Sequence, residues 1–257
     1  MRIVVLIYLM FCFNSFGQEK KIQWNDEEVG DMSILLYRKI NDSTANTGTG
    51  TIINNKSKYF ILTAQHVALN MDEETIVVFR LPGDKPKFVN LKKLVRNNSI
   101  NWINHKEADI SIIELDLPME IQLRERIVLN SFPIEQINLS KKLPSRDVDI
   151  TFFGYPVIDL NMEHFSALNI NSRICSGLIT QKRADNKKLS TFFYLDRPSI
   201  QGCSGSGVYY SVSRSMYIGG NKTILIGIMH GTKSDNTGGK LSMITPSYYL
   251  LDLLQNY

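Results

Sequence analysis

Histidine is scarce in this chain: four residues among 257, at positions 66, 105, 164 and 230. His105, His164 and His230 are scattered without the spacing of zinc ligands, so neither a metal nor any other cofactor is expected. His105 and His164 read as surface or loop residues. Cysteine is scarcer still, three residues, of which Cys12 lies in an N-terminal apolar run. The Gly-x-Ser-x-Gly elbow of α/β-hydrolases is missing, because Ser206 stands where the last glycine after Ser204 should be. Charge of neither sign dominates, with 29 basic and 25 acidic residues and a net charge of +4. Lys92-Lys93, Lys141-Lys142 and Gln181-Lys182-Arg183 sit among polar residues and read as solvated turns, so no nucleic-acid partner is expected. Internal repeats and low-complexity stretches are absent.

The composition that is present, 43% apolar and 21% charged, describes a chain able to build an ordinary core. Its N-terminus carries the pattern of a secretory signal. Arg2 supplies a basic start, Ile3 to Phe13 is unbroken and apolar, and Ser15-Phe16-Gly17 offers small residues for cleavage. Eleven apolar residues fall well short of the roughly 20 that span a bilayer. Cleavage after Gly17 would export a chain beginning at Gln18, with no later segment long and apolar enough to cross a membrane. Leu9-Met10-Phe11 before Cys12 lacks the small residue of a lipoprotein signal. Export makes a Cys175–Cys203 disulfide chemically accessible, and two separate buried thiols are the alternative.

The body reads as short strands rich in β-branched and aromatic residues, separated by turn signals, which is an all-β pattern. The expected strands are 33–39, 50–54, 59–63, 75–79, 88–95 and 109–115, then 147–153, 172–181, 190–196, 207–211, 222–228 and 241–244. The spacing divides the chain into 18–120 carrying His66 and Asp109, a connector over 121–146, with Pro118 just before it and Pro133 and Pro144 within it, and 147–257 carrying Ser204. The clear helix is C-terminal, with Thr245 as its cap, Pro246 in its first turn, and Tyr249, Leu250, Leu253 and Leu254 on one face.

Three segments point to chemistry. His66 follows the apolar strand ending at Leu62, Asp109 opens the apolar strand 110–115, and Ser204 lies among glycines in Gln201-Gly202-Cys203-Ser204-Gly205-Ser206-Gly207-Val208. Each alone has an ordinary structural explanation. Together, in the order His, Asp, Ser and separated by 43 and 95 residues, they match one convergent lineage of serine hydrolases. A serine hydroxyl needs an adjacent base to become a nucleophile, and the base needs a carboxylate to fix its tautomer.

The local words agree. Gly48-Thr49-Gly50-Thr51-Ile52-Ile53, Thr63-Ala64-Gln65-His66-Val67, Phe153-Gly154-Tyr155-Pro156 and Ile226-Gly227-Ile228 with His230-Gly231 resemble the chymotrypsin-like serine peptidases. The nearest likeness is to glutamyl-endopeptidase and HtrA-type domains, without a PDZ domain, over about residues 30 to 256. The resemblance implies two six-stranded antiparallel β-barrels, a Ser204–His66–Asp109 triad, and an oxyanion hole from the N–H groups of Gly202 and Ser204. Gly205 is expected to leave room for substrate backbone. Ser199, His230 and Gly231 are expected to contact a polypeptide substrate.

Departures from that pattern carry information. Cys203 replaces the aspartate of trypsin-type zymogen activation, so that switch is not expected; a Cys203–Cys175 bridge would instead fix the oxyanion loop. As a thiol nucleophile Cys203 would need glycine directly after it, where Ser204 stands. Pro198 occupies the place of the trypsin-like specificity aspartate, which disfavours cleavage after Lys or Arg. Met229, with His230 one residue later, stands where glutamyl endopeptidases use a pocket histidine, so an acidic and a medium apolar preference both remain open. Rival readings are an inactive binding module of this fold and an esterase using the same triad. The oligomeric state is not legible.

Overall fold

A computed structural model describes residues 24–146, 148–156, 163–183, 185–210 and 222–255. The expected signal segment lies outside the described residues. The first sheet contains β1 (Ser33–Lys39), β2 (Ala45–Asn55), β3 (Lys58–Thr63), β4 (Ile76–Leu81), β5 (Lys85–Asn90), β6 (Ile103–Asn104), β7 (Ser111–Leu115) and β8 (Phe132–Pro133), in the order β5-β4-β1-β2-β3-β7-β6 with β8 beside β2. The second contains β9 (Asp149–Gly154), β10 (Leu168–Arg173), β11 (Ile179–Lys182), β12 (Leu189–Leu195), β13 (Gly207–Tyr210), β14 (Ile224–Asp235) and β15 (Gly238–Pro246), in the order β10-β9-β13-β14-β15-β12-β11.

Each sheet closes on itself through a single bridge. Beyond β5 the chain turns and Val95 pairs with Leu115 of β7; beyond β10, Ile174 pairs with Leu195 of β12. Six strands lie in each ring, and β6, β8 and β11 are appended to them. Closure removes the exposed edges that an open sheet would leave. The ladders are antiparallel except for β2 with β8. Strand alternation governs the packing. Ile34 and Leu36 of β1 face the main core, whereas Leu35 between them packs with Val78, Tyr155 and Phe165.

Two expected strands are broken, for local reasons. Residues 88–95 stop as a strand at Asn90, whose side chain accepts the Lys92 N–H and starts a 3-10 turn over Leu91–Leu94. Residues 172–181 divide into the end of β10, the closing bridge at Ile174, and β11. Among the described residues there are four helices: α1 (Asp26–Asp31), α2 (Gln65–Ala68), α3 (Ile121–Leu129) and α4 (Leu250–Leu254). The capping box of α1, Asn25 with Glu28, and α3 inside the connector are not expected from the sequence. Leu123 and Ile127 bury one stripe of α3, but exposed Ile121, Val128 and Leu129 blur its period.

The C-terminal helix is where expected, but its cap is not. Thr245 and Pro246 complete β15, and a 3-10 turn at Ser247–Tyr249 leads into α4. Leu250, Leu253 and Leu254 join the core cluster that holds Ile110, Ile112 and Ile127, so the helix packs back against the first barrel.

Candidate active site

His66 sits on α2, a one-turn helix laid across β2. The contact is close because position 48 is glycine: a Cβ there would lie 2.5 Å from Val67 Cγ1. Asn70 Nδ2 donates to the His66 carbonyl at 2.7 Å and holds the end of the turn. Asp109 is presented by a loop wound around His105. His105 Nδ1 accepts the N–H groups of Glu107 and Ala108, so its proton is on Nε2, which donates to Asp252 of α4 at 3.0 Å. His105 is therefore a buried structural residue, not a surface one.

Asp109 is wholly buried and accepts four hydrogen bonds. Its Oδ1 takes the His66 backbone N–H at 2.9 Å and Arg183 Nη2 at 3.0 Å. Its Oδ2 takes His66 Nδ1 at 2.7 Å and His230 Nδ1 at 2.5 Å. Burial alone would raise the carboxyl, but the hydrogen bonds from His230 and His66 outweigh it and hold it well below the ordinary carboxylate range. Burial pulls His66 down, yet the bond and charge of Asp109 prevail, and its pKa lies above the usual value. With both Nδ1 atoms donating to Oδ2, the free nitrogen of His66 is Nε2.

The nucleophile turn is shaped by backbone. Gly202 and Gly205 have φ of +95° and +88°, a region L-residues rarely adopt. Thr49 of β2 braces the turn, donating its N–H to the Ser204 carbonyl and its hydroxyl to the Gly202 carbonyl, both at 2.8 Å. A Cβ on Gly205 would lie 2.0 Å from the Thr49 carbonyl oxygen and 2.1 Å from Thr63 Oγ1. The space at Gly205 thus admits the first barrel, not substrate backbone as expected. Among the described residues, neither Gly202 nor Ser204 has a backbone acceptor for its N–H. The Ser204 hydroxyl donates to the His230 carbonyl at 3.3 Å.

Further expectations need correction. His230 is not a cleft residue: it is buried, with its Nδ1 on Asp109 and its ring edge-on to His66 at 5.6 Å. Arg183 is not in a solvated turn: its side chain is fully buried on Asp109. Cys175 and Cys203 are both free thiols. Ile174 shares the second-barrel core with Cys203, so strand alternation turns Cys175 outward, away from it. Cys203 packs against Gly154, and burial pushes its thiol up to about 11. Ser199 Oγ meets Thr232 Oγ1 at 2.6 Å, and Gly231 follows His230, whose carbonyl takes the Ser204 hydroxyl, with open space where its Cβ would be.

His66, Asp109 and His230 bring their ligand-type atoms within 4.8 Å of one another. The donor set nevertheless suits hydrogen bonding better than a cation. Both imidazoles spend Nδ1 on the carboxylate, and the Arg183 guanidinium already supplies positive charge to it.

No family model and no curated protein matches the sequence. Solved structures do match. The MamO protease domain from Magnetospirillum magneticum superposes with TM-score 0.59 at 13% identity, over 89% of this chain and 98% of that one. The fold is chymotrypsin-like. Within this chymotrypsin-like group, the HtrA-type protease AlgW with a tripeptide matches at TM-score 0.54 and 16% identity, over 89% of this chain but only 60% of AlgW. A scabies mite inactivated protease paralogue matches at TM-score 0.57 and 16% identity, over 92% and 98% of the two chains. The chain thus spans about three fifths of AlgW.

Proposed function

We propose that this chain is an exported serine endopeptidase acting through an acyl-enzyme on Ser204. The observation that carries the reading is the ionised, buried Asp109 holding His66 by Nδ1, with Ser204, on a glycine-shaped turn, reaching with its hydroxyl the carbonyl of His230, the other histidine on Asp109. Ser204 Oγ attacks the scissile carbonyl carbon and passes its proton to His66 Nε2. The oxyanion accepts the N–H groups of Gly202 and Ser204, each typically worth about 3–4 kcal/mol to the transition state. Collapse expels the amine, which takes the proton from His66, and water then releases the acyl group by the same steps. Asp109 stays ionised and stabilises the imidazolium. No metal or cofactor takes part. The first 17 residues direct export in this reading.

The substrate is a polypeptide, a class that AlgW's bound tripeptide also suggests. Pro198 offers no charge to a basic side chain, and His230 is committed to Asp109 rather than to an acidic one. A medium apolar residue before the scissile bond is the preference these two positions leave. One observation favours a second reading, a site latent at rest or a binding module: the Ser204 hydroxyl points to the His230 carbonyl. Turnover of matched peptide and ester substrates, with Ser204→Ala beside them, tests both. Peptide cleavage lost in the variant supports the endopeptidase. Ester-only turnover makes it an acyl hydrolase, and no turnover of either favours the latent or binding reading.

A further inference from the structure

Arg183 reaches Asp109 from the opposite barrel. It follows β11 at the start of the β11–β12 hairpin, closed by Arg183 N–H to the Lys188 carbonyl at 2.8 Å. Its side chain and that of Asp109 are both fully buried. A charge so placed is stable only when its donors are satisfied. Nη2 bonds Asp109 Oδ1 at 3.0 Å and Asp185 Oδ2 at 2.5 Å. Nε bonds Asp185 Oδ1 at 2.9 Å, completing a two-point fork. Nη1 bonds Gln65 Oε1 at 2.7 Å and the Glu107 carbonyl at 3.2 Å. Gln65 precedes His66 on α2, and Glu107 lies two residues before Asp109. The guanidinium therefore grips the histidine's helix and the aspartate's loop together. Asp185, partly exposed at the hairpin tip, holds it in place.

We infer that Arg183 is a positioning residue for the Asp109–His66 pair, and that the β11–β12 hairpin thereby controls the base of the site. The kinetic part of this rests on the peptidase reading; the ring chemistry of His66 does not. The charged and titratable groups facing His66 are Asp109, His230 across the carboxylate, and Arg183 and Asp185 from the hairpin. Arg183 opposes a second positive charge on His66, and Asp185 favours one. A residue that only filled space would do neither.

The test follows His66 protonation by NMR across pH in the chain from Gln18, with kcat/KM measured in parallel, for wild type, Arg183→Met, Arg183→Lys and Asp185→Asn. Removing the cation should move the His66 titration, and the acid limb of kcat/KM, to higher pH. Asp185→Asn should move both to lower pH. Above its limb Arg183→Met should lose about tenfold or more in kcat/KM, since displacement of a reacting group by about 1 Å can cost about 100-fold. Arg183→Lys should recover the titration but only part of the rate, because a point charge cannot rebuild the fork. Variants that fold and titrate as wild type would overturn the inference. If Arg183→Met does not fold, Asp185→Asn decides by the same criterion. A wild-type chain without turnover would count against the peptidase reading alone, because the NMR shifts still decide this one.

Discussion

The two halves of the site are held by different means. Asp109 accepts four N–H donors from α2, the β11–β12 hairpin and β14, with no exposure to solvent. Among the described residues Ser204 makes one side-chain bond, to a carbonyl at 3.3 Å, and it owes its position to two glycines and the Thr49 brace. The base half is therefore fixed by charge, and the nucleophile half by backbone shape. Removing a polar partner should damage the first, whereas adding a Cβ should damage the second. Both barrels contribute to each half, so neither half is complete within one barrel.

Asp109→Asn breaks the comparison at its strongest point. It keeps shape but forces the wrong tautomer on His66, so kcat should fall about 10⁴-fold. It also takes one of two carboxylates from the buried Arg183, which keeps its fork to Asp185, so the Tm should fall as well. Gly205→Ala tests the other half. Its Cβ would lie 2.0 Å from the Thr49 carbonyl at a positive φ, so the turn must move. Loss of one oxyanion donor alone typically costs about 10²–10³ in kcat, and at least that loss is expected, with His66 still titrating as in wild type.

Acidity separates the halves further. Activity needs neutral His66, whose pKa is raised, so kcat/KM should reach half its maximum above pH of about 6.5. The same raised value contributes stability that is complete below about pH 6.5 and is lost as pH rises through the folded pKa. Asp109 behaves oppositely. Its depressed pKa contributes stability that is complete above about pH 3.9 and disappears as pH falls through the folded value. Denaturant midpoints measured across pH should carry both signs. The smallest effect concerns the thiols. In the chain from Gln18, alkylation of the native protein should modify exposed Cys175 and spare buried Cys203, with both reacting after denaturation.

Most of the fold was legible because β-branched runs and turn residues declare themselves locally. His66, Asp109 and Ser204 were legible because their order and intervals are properties of the chain. What the sequence hid is long-range. Nothing near Arg183 announces that it crosses to Asp109, 74 residues away, since a basic residue beside Lys182 has the composition of a surface turn. His230 was noticed but given the wrong neighbour, because its direction depends on the irregular β14–β15 register between Met229 and Gly231. Thr49 looked like an ordinary strand residue, although its spacing between Gly48 and Gly50 was a usable signal. Helix α3 was hidden by its exposed apolar residues.

The most direct test of the central claim is fluorophosphonate labelling of the chain from Gln18, read by peptide mass spectrometry beside His66→Ala. The account predicts an adduct on Ser204 that the variant lacks, since the hydroxyl needs the imidazole to become reactive. A folded wild-type chain with no adduct, or one labelled equally well without His66, would contradict it.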